Sequence, residues 1–222
     1  MPAPTESPAD APSSLFYDRL LDYLLVALLV VEGLVVAALG ATVATADVRS
    51  FAERVAADAA ASGELPLGYS EQALADAIRT LVAWGGGGLA AAGVLLVAAA
   101  AWFYRYRGRV RDRLADGRRP PRWHAVLLGA ALATALAFVP FVQVAGGAVA
   151  GHLTDRGALV DGALAGVLFG APAYVVWGAV AAGAVAAGAP ALVGFVAFGV
   201  LVYVAVDAVL AAVGGLIGGF VA

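Results

Sequence analysis

Long apolar runs separated by short polar segments dominate the pattern of hydrophobic and polar positions along the chain. Two of these runs, residues 23–46 and 81–104, each contain at most one charged residue. A helix needs about 20 apolar residues to cross a hydrocarbon layer, because each residue adds about 1.5 Å to its length. Both runs therefore predict membrane-spanning helices.

The last hundred residues are apolar almost throughout. Breaks at 152–157 and 188–190 divide them into three stretches, each longer than one crossing requires. Three tilted and kinked spans are the preferred interpretation. Because Pro140 and Pro172 end or kink helices, residues 142–171 can alternatively form a re-entrant hairpin buried in protein.

The whole pattern predicts an all-α, polytopic membrane bundle of about five transmembrane helices. Within the segment 47–80 the S-x-x-E pattern of Ser50 and Glu53 predicts a capping box, and Ser70 is expected to cap a second helix. The predicted divisions are a disordered acidic tail and lead-in over 1–22, a transmembrane helix pair over 23–104 with an external helical hairpin over 47–80, a basic cytoplasmic loop over 105–122, and a glycine-rich transmembrane bundle over 123–222.

The composition excludes several classes of protein. Hydrophobic residues make up 63% and charged residues 13% of the chain, whereas soluble domains have about 45–50% and about 25%. The chain has no cysteine, so disulfides and thiolate metal sites are excluded. It also has no lysine, which excludes a P-loop lysine or a Schiff base, and its two histidines form no metal-binding pattern. The sequence therefore predicts no enzyme, no cofactor and no metal.

Eight of the 13 arginines lie in one short segment between two apolar regions: Arg105, Arg107, Arg109, Arg111, Arg113, Arg118, Arg119 and Arg122. Because arginine-rich loops stay in the cytoplasm, this loop and the amino terminus are predicted to be cytoplasmic and 47–80 external. The carboxy terminus is then expected outside. These arginines are predicted to set the topology. An alternative is that they bind anionic lipid headgroups. Nucleic-acid binding is not expected.

Glycines recur at four-residue spacing in the carboxy-terminal half. Residues four apart lie on nearly the same helix face, and small residues there let another backbone approach closely. The spacing predicts helix packing at Gly147 with Gly151, at Gly162, Gly166 and Gly170, and at Gly214 with Gly218, beside which Gly215 and Gly219 form a second pair.

This half of the chain contains several short motifs: RW at 122–123, VPF at 139–141, GGAVAGHL at 146–153, GALAG at 162–166 and GGLIGG at 214–219. With these motifs, the segment 123–222 resembles a haloarchaeal family of small uncharacterised membrane proteins, classed as a domain of unknown function. The resemblance implies a multi-span membrane fold in a halophilic archaeon and brings no activity with it. The first 122 residues are not covered.

Two carboxyl groups lie within apolar runs: Glu32 in the first and Asp207 in the last. A charge at that depth costs about 2.5–3.5 kcal/mol, so such residues usually face the interior of a bundle. They either hydrogen-bond within the protein or form a proton or cation path. The sequence thus favours a multi-pass protein of the cell membrane, of unknown activity, with a structural, assembly or envelope role. The alternative is a small proton- or cation-coupled channel or transporter. Expected partners are the lipid bilayer, a second copy of the chain and anionic lipid.

Overall fold

The computed structural model describes residues 14–65, 69–121, 123–154 and 157–222, and the helices in these ranges are joined by short turns, with no strand. Residues 1–13 of the predicted tail and lead-in over 1–22 lie outside the described residues, as does Arg122. A short 3-10 helix, Ser14–Tyr17, precedes the α-helices. These are α1 (Arg19–Thr45), α2 (Arg49–Ser62), α3 (Glu71–Ala115), α4 (Trp123–Ala135), α5 (Val142–His152), α6 (Ala158–Phe169), α7 (Ala171–Ala186) and α8 (Ala191–Val221).

Helices α1 and α3 correspond to the two predicted spans, and α1 begins earlier than predicted while α3 extends beyond both predicted bounds. Asp18 caps α1 by accepting a hydrogen bond from the Leu20 amide at 2.9 Å, so α1 begins within the predicted lead-in. Helix α3 is 45 residues long. It includes part of the predicted external hairpin and the first five arginines of the predicted basic loop, because no proline or turn glycine interrupts it before Gly117, which has a φ of 70°.

Helix α2 packs on the start of α3 through small side chains, with Ala52 and Ala56 buried against Ala75. The capping box expected at Ser50 is not formed, because α2 begins at Arg49 and its cap residue is Val48. The Asp47 carboxylate accepts a hydrogen bond from the Arg49 amide at 3.1 Å instead.

Ser70 does cap α3. Its hydroxyl oxygen accepts a hydrogen bond from the Ala73 amide at 3.2 Å, in the manner expected for the first turn of a helix.

Helices α4 and α5 form a short antiparallel hairpin, the α4–α5 hairpin. Its two ends meet beside the 3-10 helix, where the ring of His124 lies 5.6 Å from Tyr17 and that of His152 lies 6.0 Å from Phe16. The chain reverses at residues 136–141, which include Pro140. An α4 of 13 residues is about 20 Å long and falls short of a hydrocarbon layer of about 30 Å.

Helices α6 and α7 follow one another with a bend of 46° at Gly170. Helix α8 runs antiparallel to α6 and parallel to α5. The carboxy-terminal turns of α8 therefore lie beside the end of α5, as shown by the contact of Gly215 with Gly151. Both described ends of the chain consequently lie at the arginine-rich end of the molecule.

Three helices in the described part of the chain, α1, α3 and α8, are long and apolar enough to cross a membrane, and α6 with α7 makes a fourth if the bent pair is one span. The sequence predicted about five. The alternative to three kinked spans was a re-entrant hairpin at 142–171, and the structure has two short helices within those bounds, α5 and α6. A further reversal, the α4–α5 hairpin, precedes them and has Pro140 in its turn.

Candidate functional site

A buried charge cluster lies at the arginine-rich end of the helices and consists of Asp22, Arg107, Arg111 and His124. Arg107 and Asp22 are 0% exposed and His124 is 2% exposed. The Arg107 Nε donates to Asp22 Oδ1 at 2.5 Å, and its Nη1 lies 2.8 Å from His124 Nε2. Its Nη2 donates to the carbonyl oxygen of Phe16, so all three guanidinium nitrogens have partners.

The charge cluster joins three helices that are distant in sequence. Asp22 lies in the first turn of α1, Arg107 and Arg111 lie one turn apart on α3, and His124 lies in the first turn of α4. Arg111 pairs with the second carboxylate oxygen of Asp22. The cluster therefore ties the α1–α3 pair to the α4–α5 hairpin.

Aromatic side chains surround these charges. Tyr17 stacks on His124 with ring centroids 5.6 Å apart, and the Arg107 guanidinium lies 5.7 Å from the centre of the Tyr17 ring. Burial raises the pKa of Tyr17, and the nearby Arg107 only partly offsets this, so Tyr17 stays a neutral phenol.

His124, which lies outside the candidate spans, is neutral in this setting. Burial and the positive charge of Arg107 lower the pKa of His124 to about 4. A neutral imidazole can accept the hydrogen bond from Arg107 through Nε2, which agrees with the geometry. The cluster therefore holds two cations and one anion, and Arg111 is the member that reaches water.

Sequence reasoning did not find this cluster. Asp22 was assigned to the lead-in, and Arg107 and Arg111 were assigned to topology or lipid binding. Asp22 and Arg107 are 85 residues apart, so no spacing rule links them. The available signal was weaker: an acid in the first turn of an apolar helix, and two arginines four residues apart on another.

Glu32 and Asp207 lie in different parts of the structure. Helix α1, with Glu32, packs on α3 and α4, whereas α8, with Asp207, packs on α5, α6 and α7. Asp207 is buried, and its Oδ1 accepts a hydrogen bond from Gln143 Nε2 at 3.0 Å. Asp207 also lies beside the Tyr203 hydroxyl, whereas Glu32 Oε2 is buried without a hydrogen-bond partner in the described ranges. Gln143 was missed, although it is the one glutamine in the apolar second half of the chain.

Most of the glycines singled out from the sequence touch another helix directly. A Cβ atom at such a position would lie closer than 3.0 Å to the backbone of the facing helix. This holds for Gly147, Gly151, Gly162, Gly166, Gly214 and Gly218. Gly170 differs, because it lies at the bend between α6 and α7 and its added Cβ would meet the side chain of Tyr174.

The GGLIGG motif gives α8 two adjacent glycine faces. Gly214 and Gly218 approach the backbone of α5, while Gly215 approaches that of α6 and Gly219 lies over the Ala158 side chain of α6. Neighbouring residues on a helix point about 100° apart, so paired glycines give room for two helices side by side.

A second set of close contacts, between α1 and α3, was not predicted. Gly33 lies against Gly93, and Gly40 lies against Gly86, in an antiparallel arrangement. Each helix has its two glycines seven residues apart, which is about two helical turns. This shared spacing of seven residues was the signal in the sequence, and a four-residue pattern does not include it.

The eight arginines divide into groups. Arg107 and Arg111 belong to the charge cluster, and Arg118 pairs with Asp116 at 2.5 Å on the surface. Arg119 follows the end of α3, and Arg122 lies outside the described residues. The remaining three, Arg105, Arg109 and Arg113, are exposed on α3.

Metal binding finds no support in the ranges that the structure covers, where no group of three histidine or acidic side chains could hold an ion.

Over the residues that the structure describes, the fold and these contacts define an all-helical arrangement with three or four helices able to cross a membrane. Residues 123–221 match the model of a family of unknown function (DUF5518). The match covers α4 to α8, close to the range over which the sequence resembled an uncharacterised family, and it does not include α1 to α3. No curated protein and no solved structure matches the chain.

Proposed function

We propose that this chain is a non-enzymatic integral membrane protein with a structural or assembly role in the cell envelope, and that it needs no cofactor. The observation that supports this is the charge cluster. Its buried ionic groups join three helices to one another. Separating these helices would leave a buried charge without its partner, which is strongly destabilising.

The proposed topology has four crossings, made by α1, α3, α6 with α7, and α8. The α4–α5 hairpin enters from the arginine-rich side and returns to it. Because arginine-rich ends remain in the cytoplasm, both ends of the described chain are placed inside, the carboxy terminus included. The sequence expectation of an outer carboxy terminus assumed an odd number of crossings.

The proposed basis of assembly is close backbone packing through glycine. Lipid tails are as apolar as leucine, so helices in a bilayer associate largely by such contacts. A second copy of the chain is proposed to pack on the exposed apolar residues of α8, among them Phe195, Phe198 and Val202. Besides a second copy, the proposed partners are the bilayer and anionic lipid, and not nucleic acid. A haloarchaeal source is supported by the resemblance and by the lysine-free composition.

Proton- or cation-coupled transport is the second candidate. It is supported by the buried Glu32 oxygen that has no hydrogen-bond partner in the described ranges and by the buried carboxyl group of Asp207, because intramembrane carboxyl groups often serve ion paths. The separation of the two residues on helices that pack against different partners argues against a joint relay.

The two candidates predict different outcomes for the double variant Glu32→Gln/Asp207→Asn. A structural role does not require ionisable groups at these positions. Expression of the variant in cells that lack the protein should therefore restore envelope integrity as fully as expression of the wild type does. Survival after a drop in osmolarity measures this, with protein levels followed by immunoblot.

Purified protein in liposomes provides the matching control. Proton and cation flux should equal that of empty liposomes for the wild type and for the double variant, with Asp58→Asn on the exposed face of α2 as a matched acid-to-amide change. Flux in the wild type that the double variant abolishes would overturn the structural proposal in favour of transport.

A further inference from the structure

An apolar groove opens between α1, α3, α4 and the bend of α6 and α7. Its volume is about 270 Å³. The one hydroxyl among its lining residues, that of Thr134, already donates to the Ala130 carbonyl oxygen at 2.9 Å. A polar ligand would therefore be desolvated with little compensation, whereas a hydrocarbon chain fits the lining. The side chains that form the walls include Leu29, Leu95, Trp102, Leu127, Leu168 and Val175.

The groove is open along one side. Leu95 and Trp102 line it, yet they are 55% and 49% exposed. The bend of 46° between α6 and α7 turns α7 away from the axis of α6 beside the groove. In the proposed membrane location, that open side faces lipid, so a lipid chain can enter without crossing water. The volume is below the 300–1,000 Å³ of typical small-molecule pockets, so it holds part of a chain.

The wall of α3 continues beyond the groove as a stripe on the same helix face. Successive members are three or four residues apart, the spacing that keeps side chains on one face. They are Leu95, Ala99, Trp102, Tyr106, Arg109 and Arg113. Trp102 stacks on Tyr106 with centroids 5.4 Å apart, and the charges of Arg109 and Arg113 act on Tyr106. The stripe thus leads from hydrocarbon lining through two aromatic rings to two cations.

These two arginines are free to bind an anion. Arg107 and Arg111 lie on the opposite face of α3 and form ion pairs with Asp22. Arg109 and Arg113 are exposed, and the described part of the chain gives neither of them an ion pair. Two like charges one helical turn apart repel each other, so an anion between them is favoured.

We propose that the groove and the pair Arg109 and Arg113 together bind one anionic membrane lipid. A hydrocarbon chain lies in the groove, and the charged headgroup lies between the two guanidinium groups. Trp102 and Arg109 are seven residues apart, about 10 Å along α3, so the headgroup lies just beyond the aromatic rings that mark the interface. The inference rests on the proposed membrane location and assigns a ligand class to one site within it.

The test measures which lipid stays with the protein. Wild-type protein in mild detergent is mixed with equal amounts of phosphatidylglycerol and phosphatidylcholine at fixed salt, and native mass spectrometry counts the bound lipid. Wild type should retain phosphatidylglycerol preferentially. Arg109→Gln/Arg113→Gln should reduce that retention by on the order of tenfold, since each arginine near a surface contributes measurably to anionic-lipid binding. Ala99→Phe, which fills the groove from an exposed position, should reduce it similarly.

Two control variants separate the site from general effects. Arg49→Gln/Arg54→Gln removes the same charge from exposed positions on α2, and Ala205→Phe adds the same bulk on the exposed face of α8. Both should retain lipid as the wild type does. Equal retention of the two lipids by the wild type, or full retention by Ala99→Phe, would overturn the proposal. Protein that stays soluble without detergent would instead refute the membrane location itself.

Discussion

Replacing Asp22 with alanine is expected to lower the free energy of unfolding by about 3–5 kcal/mol, the largest effect of any single substitution considered. The change leaves Arg107, which is 0% exposed, as a buried cation without its counter-ion. Removing one partner of a buried ion pair costs this much, because the remaining charge has been taken out of water without compensation. The midpoint of thermal aggregation in detergent should fall by about 10 °C.

Asp112→Ala is the matched control for that result, because Asp112 is an exposed acid on α3 close to the charge cluster. Its midpoint should stay close to that of the wild type. The pair Asp22→Leu with Arg107→Met should recover much of the lost stability, since apolar side chains can replace a buried ion pair at little cost. An unchanged midpoint for Asp22→Ala would show that the cluster does not hold the helices together.

Two glycine-to-alanine changes in α8 are expected to have opposite effects on stability. At Gly214 the added Cβ would meet the backbone of Val144 closer than 3.0 Å, so α5 and α8 must move apart. Overpacking of this kind costs about 1–3 kcal/mol, and a facing backbone yields less than a side chain does. Gly214→Ala should therefore lower the thermal midpoint measured in detergent.

At Gly199 nothing lies within 4 Å of the added Cβ. Alanine is favoured over glycine within a helix by about 1 kcal/mol, so Gly199→Ala should raise the midpoint slightly. Because both changes add the same methyl group to the same helix, the difference in sign reports the packing alone. Two shifts in the same direction would contradict close backbone contact between α5 and α8.

The sequence predicted α1 and α3 because the length of an apolar run is a local property. It did not predict how far α3 extends, since the segment that follows the apolar run is polar and yet rich in arginine, which is a good helix former. The α4–α5 hairpin depends on contacts between Tyr17 and His124 and between Phe16 and His152, which are far apart in sequence. Such contacts leave no periodic signal.

The candidate sites also include local features, which the sequence shows, and contacts between distant segments, which it does not show. Helix packing through four-residue glycine spacing stays a prediction from local spacing, and in the structure six of these glycines lie where an added Cβ would come within 3.0 Å of a facing backbone. The charge cluster depends on which helices become neighbours, and neither composition nor periodicity gives that. Glu32 and Asp207 were found individually because charges within apolar runs are conspicuous, but their separation is a property of the helix arrangement.

The arrangement of crossings is tested most directly by labelling single introduced cysteines. The chain has no cysteine of its own, so only the introduced residue can react. Cysteine would be introduced at Gly63, Gly117 and Ala222, and a membrane-impermeant maleimide applied to sealed vesicles of known orientation. With four crossings, Gly117→Cys and Ala222→Cys should react from the cytoplasmic side and Gly63→Cys from the opposite side. Reaction of Ala222→Cys on the same side as Gly63→Cys would contradict the four-crossing arrangement and the hairpin on which it depends.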